Sequence, residues 1–147
     1  MIGEVIAFNM KVSKNFILQE LVPVEVYERF GDSALWFLDA NTIKVLQELR
    51  ERYGSCLVND KYRGGNLNYR GFRQLACTVG GTYSQHRYGR AFDCNFKNAT
   101  AEEVRKDILA NESYWRELGM SCFEDNVSWF HFDTRLSNKE NILIVKP

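Results

Sequence analysis

Residues 83–96, YSQHRYGRAFDCNF, run from a polar, glycine-bearing turn into an alternating segment, and the rest of the chain is assembled around that segment. A strand has a side-chain period of two, so Ala91, Asp93 and Asn95 share one face of 90–96, and Phe92, Cys94 and Phe96 share the other. The phenyl rings mark the second face as the core side and leave Asp93 on the opposite side. Gly89 eases a bend just before the strand, which lets His86 fold back toward Asp93. Residues 129–135, WFHFDTR, alternate in the same way. Trp129, His131, Asp133 and Arg135 share one face, and Phe130, Phe132 and Thr134 share the other.

The chain has two histidines, His86 and His131. If the two strands pair, His86, Asp93 and His131 converge. Two imidazoles and one carboxylate form a ligand set of catalytic zinc, with a fourth position open to water. A lone loop histidine is more often a surface or hydrogen-bonded residue than a ligand, and spacing alone leaves both readings open.

Outward from these strands, helical and extended segments are grouped rather than alternating. Residues 14–31 read as two short helical turns around Pro23 ending at Gly31. Residues 39–54 are the clearest helix, with Ile43, Leu46, Leu49 and Tyr53 at helical spacing, Asp39 or Asn41 as cap and Gly54 as stop. Residues 55–60 read as a short strand. The stretch 61–88 is long, irregular and punctuated by glycine, and a loop of that length in a compact domain is commonly functional. Residues 100–119 are helical, with Thr100 and Glu103 in a capping-box pattern and Gly119 as stop. Strand candidates follow at 120–124, 129–135 and 141–146. Helices together with a late cluster of strands predict an α+β fold with a central antiparallel sheet and helices packed on one side. The predicted organisation is one domain over residues 1–147.

Bulk properties narrow the function. A 45% hydrophobic and 14% aromatic composition argues against disorder. Lys plus Arg and Asp plus Glu are equal at 19 each, so net charge gives no reason to expect nucleic-acid binding, despite a basic stretch from Lys61 to Arg73. No apolar run is long enough for membrane insertion. Residues 1–16 lack the basic region and cleavage site of a secretory leader. Cys56, Cys77, Cys94 and Cys122 form no CxxC pair, so they are expected to be reduced, buried and not metal-bound. A thiol enzyme would need a cysteine beside a histidine, and alternation turns Cys94, the nearest candidate, away from Asp93.

SQHRYGRAFD (84–93) resembles the SxHxxGxAxD signature of the M15 peptidases, the D-alanyl-D-alanine carboxypeptidase and L-alanyl-D-glutamate endopeptidase group, matching at Ser84, His86, Gly89, Ala91 and Asp93. SWFHFDTR (128–135) is similar to that family's second block, in which a tryptophan precedes the last zinc-binding histidine. GGNLNYRGFR (64–73) looks like the region supplying a substrate-binding arginine. The likeness is to small phage or prophage-type members and runs from about Phe16 to Arg135.

That resemblance implies a hedgehog/D-Ala-D-Ala peptidase-like fold, Zn2+ held by His86, Asp93 and His131, and hydrolysis of amide bonds in peptidoglycan stem peptides, as in endolysins. Ser84 would support the site and the substrate. It need not be a nucleophile, because a zinc site supplies its own attacking water. Many family members carry a glutamate three residues before the last histidine, where this chain has Ser128. Glu124 is the favoured replacement as general base. Asp133 is the other candidate, or else orients His131. Arg73 is the expected carboxylate clamp, with Arg63 and Arg70 as alternatives, and Trp129 would wall the cleft. The alternative function is a non-catalytic zinc-binding phage structural or peptide-binding domain. The protein is expected to be a monomer made in the cytoplasm without a signal peptide, reaching the wall after lysis, through a holin, or in a virion.

Overall fold

A computed structural model describes residues 9–147; the first half of the leader reading, residues 1–8, lies outside the described residues. Among the described residues, four α-helices and a five-stranded sheet make up an α+β architecture. The helices are α1 (Val24–Phe30), α2 (Ala40–Tyr53), α3 (Ala101–Ala110) and α4 (Glu112–Leu118). The strands are β1 (Cys56–Leu57), β2 (Ala91–Phe96), β3 (Cys122–Glu124), β4 (Phe130–Asp133) and β5 (Leu143–Val145), in the order β1-β2-β4-β3-β5.

The helix signals in the sequence act as expected at three ends. The Thr42 amide donates to the Asp39 carboxylate at 3.0 Å, which makes Asp39 the cap of α2, and Gly54 closes that helix. The Glu103 amide donates to Thr100 Oγ at 3.1 Å at the start of α3. The 100–119 segment differs from a single helix, because it breaks at Asn111 into α3 and α4. Asn111 has low helix propensity, and its side-chain amide donates back to the Asp107 carbonyl at 2.9 Å, competing with the helix backbone. Gly31–Phe37 forms a 3₁₀ segment that periodicity does not reveal.

The sheet is mixed rather than wholly antiparallel. β2 pairs antiparallel with β4, placing Asp93 opposite His131, and β4 pairs antiparallel with β3. β5, however, pairs parallel with β3. Both edges of β4 are already occupied, by β2 and β3. The chain reverses after β4 as a hairpin would, but must step over β3 to reach a free edge, and there it runs in the same sense as β3. The 55–60 strand contracts to Cys56–Leu57 at the opposite edge.

Phe92, Cys94, Phe96, Phe130, Phe132 and Phe123 form one sheet face, packed with Ile43, Leu46 and Leu49 of α2, Val104 and Ile108 of α3, and Trp115 of α4. Burial of these large apolar side chains supplies about 1.5–3 kcal/mol each before entropy is counted, and so it determines which face points inward. The opposite face of β2 and β4 carries Asp93 and His131, as alternation predicts. All four cysteines are free and buried. No helix among the described residues is long and apolar enough to cross a membrane.

Candidate metal centre

His86, Asp93 and His131 are brought together on the sheet face opposite Phe92 and Phe132. One ligand atom from each lies within 4.8 Å of the others, and all three residues are buried. Strand pairing sets Asp93 beside His131, and His131 Nδ1 lies 2.8 Å from Asp93 Oδ1. His86 reaches the same oxygen from a 3₁₀ turn, Gln85–Tyr88, with its Nε2 at 3.3 Å.

That turn is shaped by the two residues flanking it. Ser84 Oγ accepts from the His86 amide at 3.3 Å, so Ser84 acts as its cap. Gly89 ends it at φ 69°, where side-chain-bearing residues are disfavoured, and a Cβ there would also run into the Phe37 carbonyl. Ala91, the other small residue of the signature, is fully buried.

Each imidazole has one nitrogen committed and one left for the cluster. His86 Nδ1 lies 2.8 Å from the Gly71 carbonyl oxygen, to which it donates, so Nε2 is left with a free lone pair toward Asp93. Gly71 itself must lack a Cβ, because one would collide with the Leu21 carbonyl. His131 Nε2 lies 3.0 Å from Asp133 Oδ2, which turns Nδ1 toward the cluster. Such second partners orient metal-ligating histidines and raise their basicity. The donor set therefore fits a divalent metal in both chemistry and orientation.

Asp133 is completely buried and is bound by Arg135 as well as by His131. It faces the ring nitrogen directed away from Asp93 and so does not occupy the position a general base requires. Glu124, at the end of β3, does approach the open side: its Oε2 is 3.9 Å from His131 Nδ1. Glu124 lines a pocket of about 330 Å³ together with Arg73, Gly80, Ser84, Trp129 and the three clustered residues. Arg73 is nearly buried, with Nη2 3.5 Å from Asp93 Oδ2 and Nε donating to the Tyr69 carbonyl at 2.7 Å. Arg63 is absent from this pocket, and Arg70 lines an adjoining groove. Cys94 is fully buried behind Asp93, and burial, followed by the neighbouring Cys56, pushes its thiol pKa well up. A thiol held that firmly protonated is a poor nucleophile.

Electrostatics separate the two histidines. Burial lowers the pKa of His86 against the pull of Asp93. Burial also opposes the charge on His131, but hydrogen bonds to Asp133 and Asp93 outweigh it and bring the value up to about 9. In the metal-free protein this raised value stabilises the fold fully below the ordinary 6.5, and the contribution is lost as pH rises through about 9. A metal at Nδ1 must replace that proton. Metal uptake at pH 7 is therefore expected to release about one proton, with affinity rising about tenfold per pH unit below the His131 value. Calorimetric titration in buffers of differing ionisation enthalpy measures this directly. Uptake without proton release would show that His131 is neutral or not a ligand.

Arg105 is a residue that sequence reasoning did not single out. It lies on α3 and is 5% exposed, and its guanidinium donates to the carbonyls of Glu124 at 3.0 Å, Val127 at 2.8 Å and Trp129 at 2.7 Å. It thus ties together the segment carrying Glu124 and Trp129. The signal was a charge within the apolar stripe Val104, Arg105, Ile108. Arg105→Met removes the donors and leaves three part-buried carbonyls without them, at an expected cost of about 1–3 kcal/mol in urea unfolding. A loss under about 1 kcal/mol would mean that the segment is held by other contacts.

No protein-family model, curated protein or solved structure matches this chain.

Proposed function

We propose that the protein is a zinc-dependent peptidase that hydrolyses amide bonds in bacterial peptidoglycan stem peptides. The observation that carries this reading is the set of three oriented ligand atoms flooring a pocket whose wall includes the Glu124 carboxylate. His86 Nε2, Asp93 Oδ1 and His131 Nδ1 would hold the ion. When bound, zinc would supply an attacking water at neutral pH and polarise the scissile carbonyl.

The chain's own residues do the rest. Glu124 Oε2 takes up the proton from the attacking water and returns it to the leaving amine. Asp133 orients His131 through Nε2 and takes no proton. Arg73 binds a substrate carboxylate with the edge of its guanidinium not occupied by Tyr69 and Asp93. Trp129 walls the cleft, and Ser84 holds the turn that presents His86. The likeness of 84–93 and 128–135 to the M15 blocks supports the same assignment, and with it a hedgehog/D-Ala-D-Ala peptidase-like arrangement of the sheet.

Elemental analysis of protein purified without chelator is expected to find one zinc per chain, and peptidoglycan digestion is expected to release new amines that a chelator suppresses. A chain filled with iron, or with no metal, would overturn the zinc assignment. Zinc-loaded protein that releases no amine from any of a range of peptidoglycans would leave a peptide-binding domain in place of an enzyme.

A further inference from the structure

The pocket above the metal cluster does not end at Asp93. A second groove of about 360 Å³, lined by Leu67, Arg70, Asp93, Asn95 and Trp129, adjoins it and shares Asp93 and Trp129 as its boundary. The two cavities flank the same metal-ligand carboxylate, and each contains one arginine.

The arginines are in different electrostatic states. Arg73 is partly neutralised by Asp93. Arg70 makes no ion pair among the described residues, and its Nη2 is buried with no hydrogen-bond partner in the protein. Asp93, which lines the same groove, is shared among His86, His131 and Arg73 and makes no ion pair with Arg70. A buried guanidinium donor with no acceptor is costly, and a small rotation of the side chain would present the guanidinium edge to a carboxylate in the groove in two-point geometry. The position of Arg70 is also fixed. Its amide donates to Asn59 Oδ1 at 3.0 Å, and its carbonyl accepts from the Asp93 amide at 2.7 Å. These contacts use only the backbone of Arg70 and leave its guanidinium without an ion pair among the described residues.

We propose that this groove is a second carboxylate-binding subsite and that the ligand of the metal site is an acidic peptide with two carboxylates, one for Arg73 and one for Arg70. Trp129 lines both cavities and would pack against the backbone that joins the two charges. This inference rests on the reading of the site as a peptide site, but it concerns charge recognition and does not depend on turnover.

The test is calorimetric binding of tripeptides to zinc-loaded protein. Glu-Ala-Ala, Ala-Glu-Ala and Ala-Ala-Glu are each compared with the counterpart carrying glutamine in place of glutamate, in L and D forms. At one position glutamate is expected to bind about tenfold or more tighter than glutamine, the margin of a charge-assisted bond. In Arg70→Gln that preference is expected to fall below about twofold, with zinc content unchanged, and Arg70→Lys is expected to keep part of it. Asn95→Asp, on an exposed residue of the same groove, is a second variant that leaves Arg70 in place; its new carboxylate is expected to abolish the preference by occupying Arg70. No binding, no preference at any position, or a preference that survives both Arg70→Gln and Asn95→Asp would overturn the subsite. Failure of the enzyme reading shows separately, as absent amine release from protein that still discriminates glutamate from glutamine.

Discussion

Glu124→Gln is expected to lower amide-bond hydrolysis by about 10²–10⁴-fold while zinc content stays at one per chain, because the substitution keeps shape and removes the proton acceptor. Glu124 Oε2 lies 3.9 Å from His131 Nδ1 and opens onto the pocket, whereas the rival carboxylate, Asp133, is sealed between Arg135 and His131 Nε2. The backbone of Glu124 is held by Arg105, so the amide side chain of the variant should sit where the carboxylate sat. The measurement is the initial rate of amine release at saturating zinc, with metal content from the same preparation. A variant within about tenfold of the parent rate would remove Glu124 from the chemistry. A variant that loses its zinc would make Glu124 a ligand rather than a base.

His131→Ala is expected to have the largest effect on both metal and stability. Removing one of a few protein ligands weakens zinc by about 3 kcal/mol or more, roughly a hundredfold, on the scale of structural zinc sites. His131 also bridges two buried carboxylates, with Nδ1 on Asp93 and Nε2 on Asp133. The imidazole helps hold both acids ionised: despite burial, their pKa values are lowered, by His131 and His86 at Asp93 and by Arg135 and His131 at Asp133. Its removal leaves buried charge less compensated, which costs about 3–5 kcal/mol in comparable pairs. Zinc titration against a competing chelator reads the first effect, and thermal unfolding with and without zinc reads the second. A variant with unchanged zinc affinity would show that the ion binds elsewhere. One that is destabilised but still saturates at parent zinc levels would confine His131 to a structural ion pair.

Part of the site was readable because β structure encodes side-chain direction locally. Alternation over 90–96 and 129–135 separates the phenylalanines from Asp93 and His131 without reference to any other residue, and the pairing of β2 with β4 then sets these two residues opposite each other. The cap at Asp39 and the stop at Gly54 were readable for the same local reason.

Other features have no sequence signature. The Gly71 carbonyl that fixes the His86 tautomer, and the carbonyls gathered by Arg105, are groups that every residue carries, so only the folded chain selects which ones act. The parallel placement of β5 follows from which sheet edge was still free. Which of Glu124 and Asp133 opens onto the pocket depends on which ring nitrogen of His131 each carboxylate meets. The sequence by itself determined which side chains face away from the core and can share one site. The tertiary structure alone decided which atoms of those side chains meet, because hydrogen bonding to distant backbone, and not spacing along the chain, orients an imidazole or a carboxylate.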